Sequence, residues 1–317
     1  MKLSEFFKKA IDTGIANDPR GSDFVARELQ QRQKDFANLP PKEKEFFDPE
    51  SLENPYADSR ILYGDGDGEI SSILVGIDIE VGEVLLAETL GKRGSPIDLI
   101  VSHHPEGRAY ATLYSVMYMQ ADILSRFGVP INIAEDLMEG RVKEIERRLM
   151  PINHSRAVDA ARLLDLPFAC LHTPADNMVA SYLQALCAEK QPYTLEDLID
   201  LLRDIPEYRD AEKVGAGPRV LLGSKKRKAG KVFVDMTGGT EGSKEIFQSM
   251  TMSGINTMLV MHLSEEHRTE AEKHHVNVVL AGHIASDNIG VNLLLDKVLD
   301  GDPCTVHECS GFRRFRR

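Results

Sequence analysis

The chain has 317 residues, 42% of them hydrophobic and 28% charged, with a formal net charge of −12. That length suits two α/β domains or one large one with an appendage, and the composition allows a sizeable core. No apolar run is long enough for a transmembrane helix, the acidic balance argues against general nucleic-acid binding, and four cysteines with no apolar signal core at Met1–Phe7 point to a reducing cytoplasm.

Residues 1–54 read as a helical extension. Apolar residues recur at helical spacing over Ser4–Ile15 and Ser22–Phe36, Pro40-Pro41 breaks the pattern, and Phe46-Phe47 is expected to pack on the main body. A first α/β domain is expected over 55–190. Arg60–Tyr63 and Ile70–Ile77 read as two strands joined by the tight acidic turn Gly64–Gly68. A helix over Val81–Leu90 then leads to the apolar strand Leu99–Val101, which ends in His103-His104-Pro105. This is a β-α-β unit, so the two flanking strands should be parallel. A long helix is expected over Leu113–Phe127, a strand-like segment over Val129–Ala134, and helices over Leu137–Met150 and Arg156–Leu164. The short strand Phe168–Leu171 ends in His172, with Asp176 four residues on.

A second α/β domain is expected over 191–317, with 282–309 returning to the first. Thr194 and Asp197 form a capping box for a helix over Leu195–Arg203. Arg219–Leu222 and Lys231–Val234 read as strands flanking a basic turn. The Gly-rich stretch Asp235–Gly242 leads into a helix and could offer backbone amides to a phosphate, although it lacks the P-loop pattern. Asn256–Met261 is a strand ending in His262, and Val276–Ala281 a strand ending in Gly282-His283, with Asp287 four residues on. A helix over Asn292–Asp300, a strand over Cys304–Cys309 and a frayed basic tail at Arg313–Arg317 complete the chain.

Three of these apolar strands end in His103-His104, in His172 and in His283, and two of these ends repeat His-x-x-x-Asp. One strand-end histidine alone is ordinary core or surface. Together His103, His104, His172, His283, Asp176 and Asp287 make a nitrogen-rich donor set that suits zinc, iron or manganese better than calcium or magnesium. Two carboxylates can bridge two cations, and two divalent ions can hold an activated water between them. No serine or cysteine nucleophile with a paired base stands out, so the chemistry expected is hydrolytic and metal-led.

Asp98–Pro105, Val75–Asp78, His172–Asp176 and Gly282–Asp287 resemble, in order and separation, the motifs of the Ngg-one-interacting-factor-three-like family, also labelled type two GTP cyclohydrolase I. The resemblance covers about residues 58–309. It implies an α/β fold of two domains with mixed, largely parallel sheets around an interdomain dinuclear metal site, assembled as a homohexamer. Carried over by motif, the ligands are His103, His104, Asp176, His283 and Asp287, with His172 adjacent. The family usually has Glu where this chain has Asp287. It also prefers an apolar pair after His-His-Pro, where Glu106-Gly107 adds a carboxylate that could be a ligand or a general base. His262 and Glu241 are further residues that could face the same cavity. The function expected is a dinuclear metal-dependent hydrolase acting through a metal-bridging hydroxide on a phosphate-containing or nucleotide-like small molecule. The alternative is a non-catalytic metal-binding adaptor or metal-handling ring.

Overall fold

Amphipathic spacing shapes the first helices. The computed structural model describes residues 1–317. In α1 (Leu3–Ala16) the residues Leu3, Phe6, Phe7, Ala10 and Ile11 recur at helical intervals, and all are buried. α2 (Ser22–Asn38) buries only Val25, and α3 (Pro41–Lys44) is one turn opened by proline. Phe47 stacks on Phe36 with ring centroids 4.6 Å apart, but Phe46 is 89% exposed. Phe46 therefore does not pack on the body as expected, and Phe47 packs on α2.

β1 (Arg60–Tyr63) and β2 (Ser72–Gly76) form where expected, but they are not a hairpin. The connecting loop is held by the amino-terminal backbone instead: Leu3 N–H donates to Gly68 and Ser4 N–H to Gly66, each at 2.9 Å. After α4 (Val81–Lys92) comes β3 (Leu99–Ser102), parallel to β2 as the crossover rule requires. A long helical connection follows, made of α5 (Gly107–Ala111), a 3-10 turn (Leu113–Tyr118), α6 (Met119–Arg126), α7 (Ile131–Leu149) and α8 (Arg156–Leu163). The single helix expected over 113–127 is thus divided. The strand expected at 129–134 is instead the start of α7. Its Ile131 and Ile133 are 40% and 38% exposed, while Ala134, Met138, Val142, Ile145 and Leu149 carry the burial at helical spacing.

β4 (Phe168–Cys170) leads into α9 (Thr173–Lys190), followed by α10 (Leu195–Arg203) with its Thr194/Asp197 capping box. α11 (Pro206–Lys213) has no counterpart in the sequence reading. β5 (Arg219–Leu222) and β6 (Lys231–Asp235) flank the basic turn but pair elsewhere, β5 antiparallel with the later strand at 277–280. Then come α12 (Phe247–Met252), β7 (Ile255–Val260), α13 (Glu265–Lys273) and β8 (Asn277–Leu280). α14 (His283–Val298) starts at the strand-end histidine, well before the expected start at Asn292, and β9 (Thr305–Cys309) closes the order.

The strands form two mixed sheets, ordered β1-β4-β3-β2-β9 and β5-β8-β7-β6, parallel except at the β1 and β5 edges. The sheets exchange cover. Leu113, Met138 and Leu149 of the β3–β4 connection share a core with Phe233, Met258 and Val278 of the second sheet. In the other direction, Val291, Leu294 and Leu295 of α14 join Phe6 of α1 and Ile73 of β2 in the core of the first.

The carboxyl-terminal arginines are not frayed. Arg314 donates to Asn292 and pairs with Asp296, and Arg317 forms two hydrogen bonds, at 2.8 and 2.7 Å, to the buried Glu207 carboxylate. The tail is ordered because α11 and α14 present Glu207, Asn292 and Asp296 as acceptors for these cations. Arg317→Ala removes the only cation paired with Glu207 and leaves it the Asn292 amide alone, so urea unfolding should report a loss of about 3 kcal/mol.

Candidate metal centre

β3 continues into its histidines without breaking the ladder: His103 N–H donates to Gly76 and His104 N–H to Ile77, at 3.0 and 2.8 Å. The His104 ring lines the cavity, while His103 stays buried behind it, both within 3.5 Å of the Asp287 carboxylate. Each of three imidazoles has Nδ1 engaged outside the centre. His103 Nδ1 lies 3.3 Å from the Leu171 carbonyl, His104 Nδ1 2.7 Å from Asp78, and His172 Nδ1 2.8 Å from Asp58. Such contacts fix ring orientation and leave Nε2 free, the usual arrangement around metal-ligating histidine.

The two carboxylates come from helix starts. His172 caps α9, which places Asp176 in its first turn and four residues on, on the same face. Gly282 caps α14 at φ +107°, where an added Cβ would also sit 2.7 Å from the Ala216 carbonyl oxygen. His283 and Asp287 follow on one face. His103 Nε2 is 3.5 Å from both Asp176 Oδ1 and Asp287 Oδ1. Asp287 Oδ2 lies 3.4 Å from His104 Nε2 and 3.5 Å from His283 Nε2, and Asp176 Oδ2 lies 3.6 Å from His172 Nε2.

Buried polar atoms are ordinarily hydrogen-bonded. Seven buried side-chain polar atoms in the chain have no such partner, and four of them are here: His103 Nε2, Asp176 Oδ1 and both oxygens of Asp287. The donor atoms of His103, His172 and Asp176, and those of His103, His104 and Asp287, lie within 4.8 Å of one another, so these groups could hold a metal ion. Their titration reflects the crowding. Burial drives the His103 imidazole down to about 4 despite Asp287, and raises Asp176 to about 7. Asp287 resists burial because His103, His104 and His283 hold it well below the usual carboxylate range. Burial also works against the His172 cation, but Asp176 and Asp58 overcome it and raise the ring to about 9.

The cluster opens on a cavity of about 690 Å³, also lined by Glu106, His262 and Glu241. Glu106 is half-buried at the cavity wall, apart from the donor groups, and burial together with Glu80 raises its carboxyl to about 7. His262 packs its ring 4.8 Å from that of His283 and sits 3.4 Å from Glu241. The Gly-rich loop lines the cavity too, but it does not present a long helix: a 3-10 turn (Lys244–Ile246) intervenes before α12. The Gln120 amide takes the Gly238 and Thr240 carbonyls.

Two supporting carboxylates escape a sequence reading. Asp78 could have been inferred, because pairing of Gly76 with Ser102 carries the β2 end alongside the histidines. Asp58 could not. It precedes β1, is fully buried, and accepts from both His172 and Thr173 across more than a hundred residues.

No family model and no curated protein matches the chain. Among solved structures, a NIF3 superfamily protein from Sphaerobacter thermophilus superposes with a TM-score of 0.70 at 27% identity, covering 80% of this chain and 91% of that one. Reduced HcgD from Methanocaldococcus jannaschii is similar in fold alone, with a TM-score of 0.51 at 14% identity over 84% of this chain and 94% of that one. The shared architecture and the first of these neighbours agree with the His-His-Pro and Gly-His motifs and support membership of the NIF3-like family.

Proposed function

We propose that the chain is a hydrolase of small molecules that works with two divalent metal ions held between the two sheets. The observation that carries this reading is the Asp287 carboxylate. It is buried and ionised, neither oxygen is hydrogen-bonded, and three imidazoles face it. A charge placed in this way is costly unless a cation completes its surroundings. His103, His104, His172, Asp176 and Asp287 would hold the ions, with His283 beside Asp287. The mixed nitrogen and oxygen donors suit zinc, iron or manganese. Bound there, the ions supply Lewis acidity and a water that ionises near neutral pH.

The chain's own residues do the remaining work. Asp78 and Asp58 orient the rings of His104 and His172. Glu106 is placed at the cavity wall to exchange a proton with a bound substrate. Arg156, an exposed residue that also lines the cavity, would meet an anionic substrate such as a phosphate-containing one. Four free cysteines fit a reducing cytoplasm, and assembly as a homohexamer completes the proposal.

Metal-supplemented protein should turn over at least one member of a panel of phosphoesters, nucleotides and cyclic amides. His104→Ala and Asp176→Ala should lose both bound metal and turnover. Tightly held stoichiometric metal with no turnover on the panel would replace this reading with that of a metal-binding adaptor. Asp58→Asn, which removes only the charge behind His172, should weaken metal 10–100-fold in chelator competition while the fold persists.

A further inference from the structure

The cavity that carries the His/Asp cluster is apolar over much of its remaining wall. Five of the chain's eleven methionines line it: Met138, Met236, Met250, Met258 and Met261. Leu113, Ile145, Leu149 and Phe233 extend the same wall. A volume of about 690 Å³ is that of a site for a whole small ligand, far more than a reacting head group requires.

Several polar side chains bordering this apolar part already have partners, whereas the Asp235 carboxylate beside Met236 makes no hydrogen bond. Gln120 donates to the Gly238 and Thr240 carbonyls at 2.6 and 2.7 Å, Thr237 donates to Asn177 at 2.7 Å, and Ser243 accepts from the Glu245 N–H. A nucleobase buried here would leave much of its donor and acceptor edge unsatisfied, at a cost for every missing bond. A hydrocarbon group has no such requirement. Unbranched, polarisable methionine side chains adapt to apolar groups of varying outline.

We infer that this cavity selects amphiphilic substrates: a hydrocarbon group occupies the methionine-lined chamber while the polar, anionic reacting group reaches the His/Asp end. The inference rests on the hydrolytic reading above and narrows its substrate class away from nucleotides.

The test is calorimetric titration of metal-supplemented protein with butyl-, hexyl- and octylphosphonate, and with GTP as comparator. Binding should tighten about fourfold per methylene along the series, and octylphosphonate should bind more tightly than GTP. Affinity independent of chain length, or GTP bound more tightly than octylphosphonate, would overturn the inference. Leu149→Trp and the less buried Met261→Trp fill the chamber from two sides. A folded variant of either kind should keep its metal and lose the chain-length dependence, and native-like dependence in both would also overturn it. Asp176→Ala separates the two readings. It should weaken every phosphonate yet keep the same tightening per methylene. Chain-length dependence without turnover on any substrate would remove the hydrolase and leave an amphiphile site. Turnover without chain-length dependence would remove only the amphiphile.

Discussion

Gly290→Ala should destabilise the protein by about 3 kcal/mol and strip it of metal at the same time. Gly290 lies on α14 where that helix crosses α9, and an added Cβ would sit 2.3 Å from the Ala175 carbonyl oxygen and 2.9 Å from its carbon. Both atoms are backbone, so no rotamer change relieves the clash and the helices must part. Overpacking of this kind typically costs 1–3 kcal/mol. The parting falls between the two carboxylates, since Ala175 adjoins Asp176 and Gly290 is three residues beyond Asp287. Gly140→Ala on α7, where an added Cβ meets nothing within 4 Å, should instead stabilise by about 1 kcal/mol. Urea unfolding and elemental content read both variants. Native stability and full metal in Gly290→Ala would refute the account of the crossing.

The second large effect is at Asp287. Asp287→Asn keeps the side-chain volume and removes the charge that faces His103, His104 and His283. The native chain should gain about 2.7 kcal/mol of stability per bound ion with free metal a hundredfold above Kd, provided the ions bind the folded state alone. The variant should gain almost nothing and hold less than one ion per chain. Melting curves with and without metal decide the matter, and an unchanged upward shift in the variant would show that Asp287 is not a ligand.

What could be read from the sequence was local. His-x-x-x-Asp is visible because a helix start puts positions four apart on one face, and His103-His104 because a buried strand announces its own end. Pairing was less legible. β1 and β2, like β5 and β6, are neighbours in the chain and looked like partners, yet β1 finds β4 and β5 finds β8. Strand choice there follows cover from distant segments, which periodicity does not report. The stretch 129–134 alternates like a strand, and only the burial of Ala134, Met138 and Val142 shows that the helical period wins. Asp58 is the extreme case: nothing in Ala57-Asp58-Ser59 marks a carboxylate whose partner is His172, and only the β1–β4 pairing brings them together.

The exchange of cover between the sheets also bears on how the chain is made. His103 and His104 leave the ribosome long before His283 and Asp287, and β2 has one open edge until β9 pairs with it. An unpaired edge in a central strand is a template for association with other chains. The last donors and the strand that closes this edge lie within one short segment, residues 283–309. A nascent chain halted before that segment therefore exposes both an incomplete ion site and an adhesive strand. Completion of that segment removes both hazards in a single late event.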